Sequence, residues 1–331
     1  MKIKFFPYQA HCFAFGGFEV QMLSAFDALK NSKVECEKID LWNTDSNFDI
    51  AHFWGLGLPQ YENVKWAKLS GKKVVSTILL SYFEDSLGKL KFSISKKIHT
   101  QKFLFEIMQL SDKIVVVNDM QKEVCIKYYQ LPENKIAIIP NIVNDIYFSK
   151  PALVKNPVGH PFILSVGNIC KRKNQVALCK AVVNTDQQLV VIGKVLPGEE
   201  SYGKEFKELV GQTNKIIWIQ GLQANSYELF SYYFNCQGFA LPSFEETQPI
   251  SLLEAIACQK PILTANKQYG RQKYFQNAVH VEPGSIKSLE RGIQELISSN
   301  VSDRNSRYIN ECLEKNVALE YKQLYETLLY N

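Results

Sequence analysis

The stretch LPSFEETQPISLLEAIACQKPIL, residues 241–263, holds glutamates at 245, 246 and 254. An apolar run ends near Leu241, and a helical pattern begins near Ser251. The loop between them therefore lies at the carboxyl end of a strand, where open parallel sheets bind ligands. The first amides of a helix have no partner inside it and carry partial positive charge, so they suit a phosphate. A loop carboxylate at Glu246 and a helical one at Glu254 can then accept hydrogen bonds from ligand hydroxyls on either side of that phosphate. A blander reading stands beside this one. Ser251 and Glu254 have the spacing of a capping box, with Ser251 as N-cap and Glu254 at N3. Glu245 and Glu246 also read as a solvated acidic pair.

Such a site needs elements to hold it. Short β-branched runs alternate with segments of helical period along most of the chain. KIKFFPY, FDIAHFWG, KKVVSTILL, DKIVVVN and KIAIIPN read as strands, with helical spacing in FEVQMLSAFDALKN and DMQKEVCIKYYQL between them. Residues 140–162 carry four prolines and little periodicity, which marks a connection. A second series follows, from FILSVGN through QLVVIGK and KIIWIQG to GFALPS and KPILTA. Two doubly wound α/β domains are expected, each with a parallel sheet, and a cleft between them. The expected boundaries are 1–156, 157–310 and a C-terminal helix at 311–331 that packs back toward the first domain.

Composition excludes several classes. At 331 residues, with 46% hydrophobic and 21% charged residues, the chain has material for two globular cores. A net charge of +5 is too small to argue for nucleic acid. The eight cysteines form no C-x-x-C pair and no zinc spacing with histidine, so they read as buried thiols in a reducing compartment. No metal site is expected. No apolar run is long enough to span a membrane, and the start lacks the core of a signal peptide, so a cytoplasmic location is expected. Residues 89–103, KLKFSISKKIHTQKF, hold five lysines and no acid. They read either as a solvated helix face or as a surface for anionic lipid. Gly16 and Gly17 follow the first strand and permit close phosphate approach, or else form an ordinary tight turn.

The segment around Glu246 and Glu254 resembles the E-x7-E motif of retaining family 4 glycosyltransferases, which have the GT-B fold. The resemblance extends in order over most of the chain. FGGFEVQMLSAFDAL is similar to the family's Gly-Gly-x-Glu loop and first helix, FDIAHFWG to its Asp-(apolar)2-His strand, and FILSVGNICKRKNQ to the first strand and loop of its donor domain. It implies that Glu246 contacts the transferred sugar and steadies the electron-poor anomeric centre, and that Lys173 neutralises the donor diphosphate. It implies further that Glu254 takes the ribose hydroxyls, that Gly16 and Gly17 approach the diphosphate, and that the amides of Ile250 and Ser251 face the phosphates.

Departures from the family pattern are specific. Asn168 stands where an arginine is usual, and Arg172 or Lys171 is the candidate substitute. Thr247, Gln248 and Pro249 replace a glycine-rich loop, and Pro249 has no N–H to offer. Leu79 stands where a histidine is frequent. His52 and His11 are other histidines near strand ends, and each reads more readily as structural. The implied reaction moves a sugar from a nucleotide-diphosphate sugar to a hydroxyl of a glycan or lipid-linked acceptor, with no cofactor or bound metal, for cell-envelope polysaccharide. A nucleotide-sugar epimerase or phosphorylase of the same fold, or a non-catalytic nucleotide-sugar-binding relative, is the alternative.

Overall fold

The computed structural model describes residues 1–12, 15–80, 99–298 and 306–330. The chain divides into two compact units, residues 1–142 with 314–331 and residues 143–313.

The first unit runs β1 (Lys2–Phe6), α1 (Gly17–Asn31), β2 (Glu35–Lys38), β3 (Ile50–Trp54), α2 (Leu58–Leu69), β4 (Lys73–Thr77), α3 (His99–Leu110), β5 (Lys113–Val116), α4 (Asp119–Tyr129) and β6 (Ile136–Ile138). Its sheet has the order β2-β1-β3-β4-β5-β6 and is parallel throughout the described residues. A parallel strand is covered on both faces, which is why every residue of β3 is buried. The C-terminal helix Glu314–Tyr330 belongs to this unit. Its Val317, Tyr321 and Tyr325 are packed into one cluster with Ile3, Phe5, Phe26 and Trp54. His52 lies in the same core. Its Nδ1 pairs with the Tyr325 hydroxyl and its Nε2 with Thr77 Oγ1, each at 2.7 Å. With both ring nitrogens engaged and no exposure, His52 is structural.

The second unit runs β7 (Ile163–Val166), α5 (Gln175–Val183), β8 (Leu189–Ile192), α6 (Glu200–Gly211), β9 (Ile216–Ile219), α7 (Tyr227–Asn235), β10 (Gly238–Leu241), α8 (Ile250–Ala257), β11 (Ile262–Ala265), β12 (Val279–Val281) and α9 (Ile286–Ser298). The sheet order is β12-β11-β10-β7-β8-β9. The chain lays β7, β8 and β9 outward in one direction, then returns to place β10 on the other side of β7. The strand order therefore reverses between β7 and β10, the position at which such sheets bind ligands.

The boundary differs from the expected one. It falls after Ile142, not near residue 156, because residues 143–156 pack with the second unit. The Val143 N–H donates to the Cys312 carbonyl at 2.9 Å. Tyr147 is fully buried, edge-on to Tyr233 with ring centroids 5.2 Å apart. The passage back begins at Glu314 instead of residue 311.

Among the described residues no helix is long and apolar enough to cross a membrane. All eight cysteines are free thiols, six of them buried, with Cys12 exposed and Cys258 half-buried.

Candidate functional site

β7 and β10 are neighbours in register, Gly238 beside Ile163 and Phe239 beside Leu164. The loops that leave their carboxyl ends therefore meet, although seventy residues of chain separate them. Several bonds stitch the two loops together. The Phe244 N–H donates to the Arg172 carbonyl at 2.8 Å. The Arg172 guanidinium donates to the Glu245 carbonyl at 2.6 Å. Lys173 Nζ donates to Glu246 Oε1 at 2.8 Å. Asn174, held at φ 63°, donates its side-chain amide to the Pro242 carbonyl at 3.2 Å and to the Pro283 carbonyl at 2.7 Å.

Glu246 is the centre of this junction. Its Oε1 accepts from Lys173, from the Ser243 hydroxyl at 3.1 Å, and faces Arg172 Nη1 at 3.0 Å. Burial opposes its charge. The Lys173 ammonium and Arg172 guanidinium overcome that and hold the carboxyl below its ordinary range. Lys173 is nearly covered, with its side chain 13% exposed, whereas Arg172 is 45% exposed. The site thus presents two cations against one carboxylate.

Gly167 allows this placement. Its φ is +149°, and a Cβ there would lie 2.9 Å from both Cδ and Cε of Lys173. The bare glycine lets the lysine stem cross the β7 carboxyl end toward Glu246. At Gly193 on the adjoining strand end, a Cβ would overlap the Gly167 carbonyl oxygen.

The loop after Glu246 is braced from the segment that follows β11. Gln272 donates to the Thr247 carbonyl at 2.6 Å, and the side chains of Gln248 and Gln272 face one another at 3.5 Å. Gln248 is buried and Thr247 half-buried. Pro249 caps α8, and Ile250 is its first residue. The Leu252 and Leu253 amides donate to the Pro249 carbonyl, which leaves those of Ile250 and Ser251 ahead of the first helical bonds.

The capping-box reading of Glu254 does not hold. The N-cap is Pro249, Ser251 lies inside the helix, and no side-chain cap is present. Glu254 instead points into the protein, where its Oε2 accepts from the Tyr233 hydroxyl at 2.6 Å. Burial raises its pKa from 4.5 to about 7, although the hydroxyls of Tyr233 and Tyr147 favour the charged form.

Of the other expected site residues, Asn168 is half-buried beside the junction, and its carbonyl accepts from Gln175 at 2.8 Å. Arg172 rather than Lys171 joins Lys173, since the Lys171 backbone turns instead toward Glu199. Gly16 and Gly17 lie in the first unit at the start of α1. The Gly16 N–H donates to Glu19 Oε2 at 2.8 Å. Leu79 is 38% exposed. Of the lysine-rich stretch 89–103, residues 89–98 lie outside the described residues. Sequence reasoning missed Ser243, Gly167, Gln272 and Tyr233. Only Ser243 and Gly167 had a signal, each standing within a quoted motif.

Residues 150–312 match the family model of the glycosyl transferases group 1. These residues belong to that family. The matched glycosyl transferase segment takes in the whole loop junction and Glu254. Alpha-galactosylglucosyldiacylglycerol synthase of Streptococcus pneumoniae is 24% identical over 230 residues, covering 65% of this chain and 59% of that protein. The N-acetylgalactosamine-N,N'-diacetylbacillosaminyl-diphospho-undecaprenol 4-alpha-N-acetylgalactosaminyltransferase of Campylobacter jejuni is 24% identical over 202 residues, covering 59% of this chain and 54% of that protein. The match thus spans little more than half the length of these curated relatives. Anabaena HepE, solved in complex with UDP-glucose, superposes with a TM-score of 0.72 at 16% identity, covering 99% of each chain. That likeness establishes the shared GT-B fold of two Rossmann-like domains.

Proposed function

We propose that the protein is a retaining glycosyltransferase that takes a sugar from a nucleotide-diphosphate donor and passes it to a hydroxyl of a glycan or lipid-linked acceptor in cell-envelope polysaccharide synthesis. One observation carries this reading: Lys173 and Arg172 converge on Glu246 at the strand-order reversal, beside the start of α8. The junction is a ready acceptor of negative charge next to a carboxylate. The donor diphosphate settles on Lys173, Arg172 and the amides of Ile250 and Ser251. As the bond between the anomeric carbon and the phosphate oxygen breaks, the electron pair goes to the diphosphate, and these fixed charges stabilise it. Glu246 faces the positive charge that grows on the sugar. The acceptor hydroxyl bonds to the anomeric carbon on the face the diphosphate leaves, and its proton passes to the departing phosphate oxygen.

Thr247 and Gln248 bear on the choice of sugar, Asn168 lies on the diphosphate side, and Glu254 takes the ribose hydroxyls. The relatives support the donor and acceptor classes. HepE binds UDP-glucose, and the curated names contain diacylglycerol and diphospho-undecaprenol. Both names also specify alpha products, and an α product from an α-configured donor is retention. Peripheral contact with anionic lipid through residues 89–103 suits such an acceptor.

The test is transfer from labelled UDP-, GDP- and ADP-sugars to diacylglycerol glycosides and undecaprenyl diphosphate glycans, with the product anomer read by NMR. We expect an α product, activity intact in EDTA, and a loss of about 100-fold or more in kcat for Glu246→Gln. A β product would overturn retention. An isomerised donor without acceptor would reveal an epimerase.

A further inference from the structure

We propose that Tyr233 is a positioning residue for donor binding: its hydroxyl anchors one oxygen of Glu254 so that the other is presented, ionised, to the ribose hydroxyls of the nucleotide. The inference rests on the ribose role given to Glu254 above.

The two glutamates of the site are held in opposite ways. Glu246 has two cations. Glu254 has none within ion-pair distance among the described residues, and its one well-formed hydrogen bond is the 2.6 Å contact from Tyr233. That length is typical of a hydroxyl donating to a charged oxygen. The Tyr233 ring cannot swing away. It is fully buried, stacked on Phe239 with centroids 5.4 Å apart and edge-on to Tyr147 at 5.2 Å. α7 and β10 therefore aim the hydroxyl at α8 as a fixed post.

Tyr147 is the second buried phenol here. It faces the same carboxylate and helps to favour its charged form, yet its hydroxyl makes no well-formed hydrogen bond among the described residues. The pocket behind Glu254 thus holds one phenol that is satisfied and one that is not. A carboxylate with one well-formed bond from a neutral donor and one poorly placed phenol is incompletely satisfied when charged. Ligand hydroxyls that donate to its second oxygen would complete it. Binding would then require the ionised form, and the Tyr233 bond favours that form.

The titratable groups around the carboxylate are Tyr233, Tyr147 and, at the C-cap of its own helix, Cys258. Burial pushes all three upward, so none of them ionises near neutrality. In that range Glu254 alone changes charge at this position.

The test is calorimetric titration between about pH 5.5 and 8.5 without acceptor. UDP-glucose, GDP-mannose and ADP-glucose share the ribose, and the one that stabilises the wild type in a thermal-shift assay is titrated. We expect wild-type affinity to fall as the pH drops below about 7. Tyr233→Phe keeps the ring and its packing. It should bind about tenfold more weakly at pH 7, with the midpoint of the fall moved up by about one pH unit. Replacing Tyr233 with 3-fluorotyrosine, a stronger donor of nearly the same size, should move the midpoint down. This keeps the test open should Tyr233→Phe fold poorly. Tyr147→Phe should move the midpoint up by less than Tyr233→Phe does. A midpoint unmoved by both changes at position 233 overturns the proposal, whatever happens to affinity, and leaves a merely structural tyrosine. If Glu254→Gln binds the donor as tightly as wild type with the same pH dependence, the ribose reading of Glu254 fails first, and the role of Tyr233 with it. If none of the three donors binds, the reading of the whole site falls.

Discussion

A carboxylate buried against two tyrosines carries a cost that can be measured without any substrate. Burial raises the Glu254 pKa from 4.5 to about 7, so the folded protein binds this proton more tightly than the unfolded chain does. Between those two values the native state holds the extra proton, and stability falls as the pH rises through them. The contribution is fully present below about pH 4.5 and lost above about pH 7. Glu254→Gln preserves the shape and still accepts from Tyr233, but has no charge to bury. It should therefore be more stable than wild type at pH 8 by about 1–3 kcal/mol, with the gap closing toward pH 5. Denaturant unfolding at the two pH values checks this. A variant less stable at both would return Glu254 to a structural role. Glu246 behaves in the opposite sense. Burial works against its charge, but Lys173 and Arg172 hold its carboxyl low, so its contribution is present at neutral pH and lost as the pH falls through the folded value. Lys173→Met should expose this. Removing the closer cation strands much of a buried charge, at about 1–3 kcal/mol with Arg172 still in place, and should cut transfer by about 100-fold or more.

The two loops meet because β7 and β10 are adjacent, and this is where sequence reading reached its limit. A strand such as Leu189–Ile192 was legible because parallel strands are covered on both faces and appear as unbroken apolar runs. Glu246, Lys173 and Arg172 were legible as candidates by residue type and by resemblance. Which of Lys171 and Arg172 joins Lys173 at Glu246 was not, because the meeting of the two loops is a long-range property that local spacing does not encode. The N-cap of α8 was missed for a related reason. Pro249 has no side-chain group that caps and so does not mark the start, which made Ser251 look like the cap. Tyr233 was invisible because one tyrosine among several in YELFSYYFN shows nothing of where it points. The boundary at Ile142 was missed because prolines mark an irregular segment but not the unit it packs on. Gly167 is the test of the element scale. Its φ of +149° and the Lys173 stem beside it leave no room for a side chain. Gly167→Ala should cost about 1–3 kcal/mol from backbone strain and lower activity with the Glu246 and Lys173 side chains both still present. Activity close to wild type in a folded Gly167→Ala protein would show that the lysine needs no such passage.

At the scale of the whole molecule, the chain closes its first unit with its last helix. Val317, Tyr321 and Tyr325 are at most 1% exposed, and Tyr325 supplies one of the two hydrogen bonds of His52. At roughly 1.5–3 kcal/mol for each large apolar side chain buried, the helix contributes an amount comparable to the net stability of a domain. A chain ending at Leu313 should therefore lose the first unit cooperatively while residues 143–313 keep their fold. Calorimetry would show one transition lost and one retained. His52 gives the same unit an acid sensitivity of known sign. Burial lowers its pKa from 6.5 to about 3, so the unfolded chain takes up a proton that the folded one refuses. Stability is complete above about pH 6.5 and declines below it by about 1.4 kcal/mol per pH unit until the folded value is reached. His52→Gln has no charge to gain and should flatten that limb in the transition of the first unit, even if it lowers the plateau by disturbing the bonds to Tyr325 and Thr77. The transition of the second unit should not respond. A flattened limb in the second transition, or an unchanged one in the first, would mean that the acid sensitivity of the first unit comes from some other group.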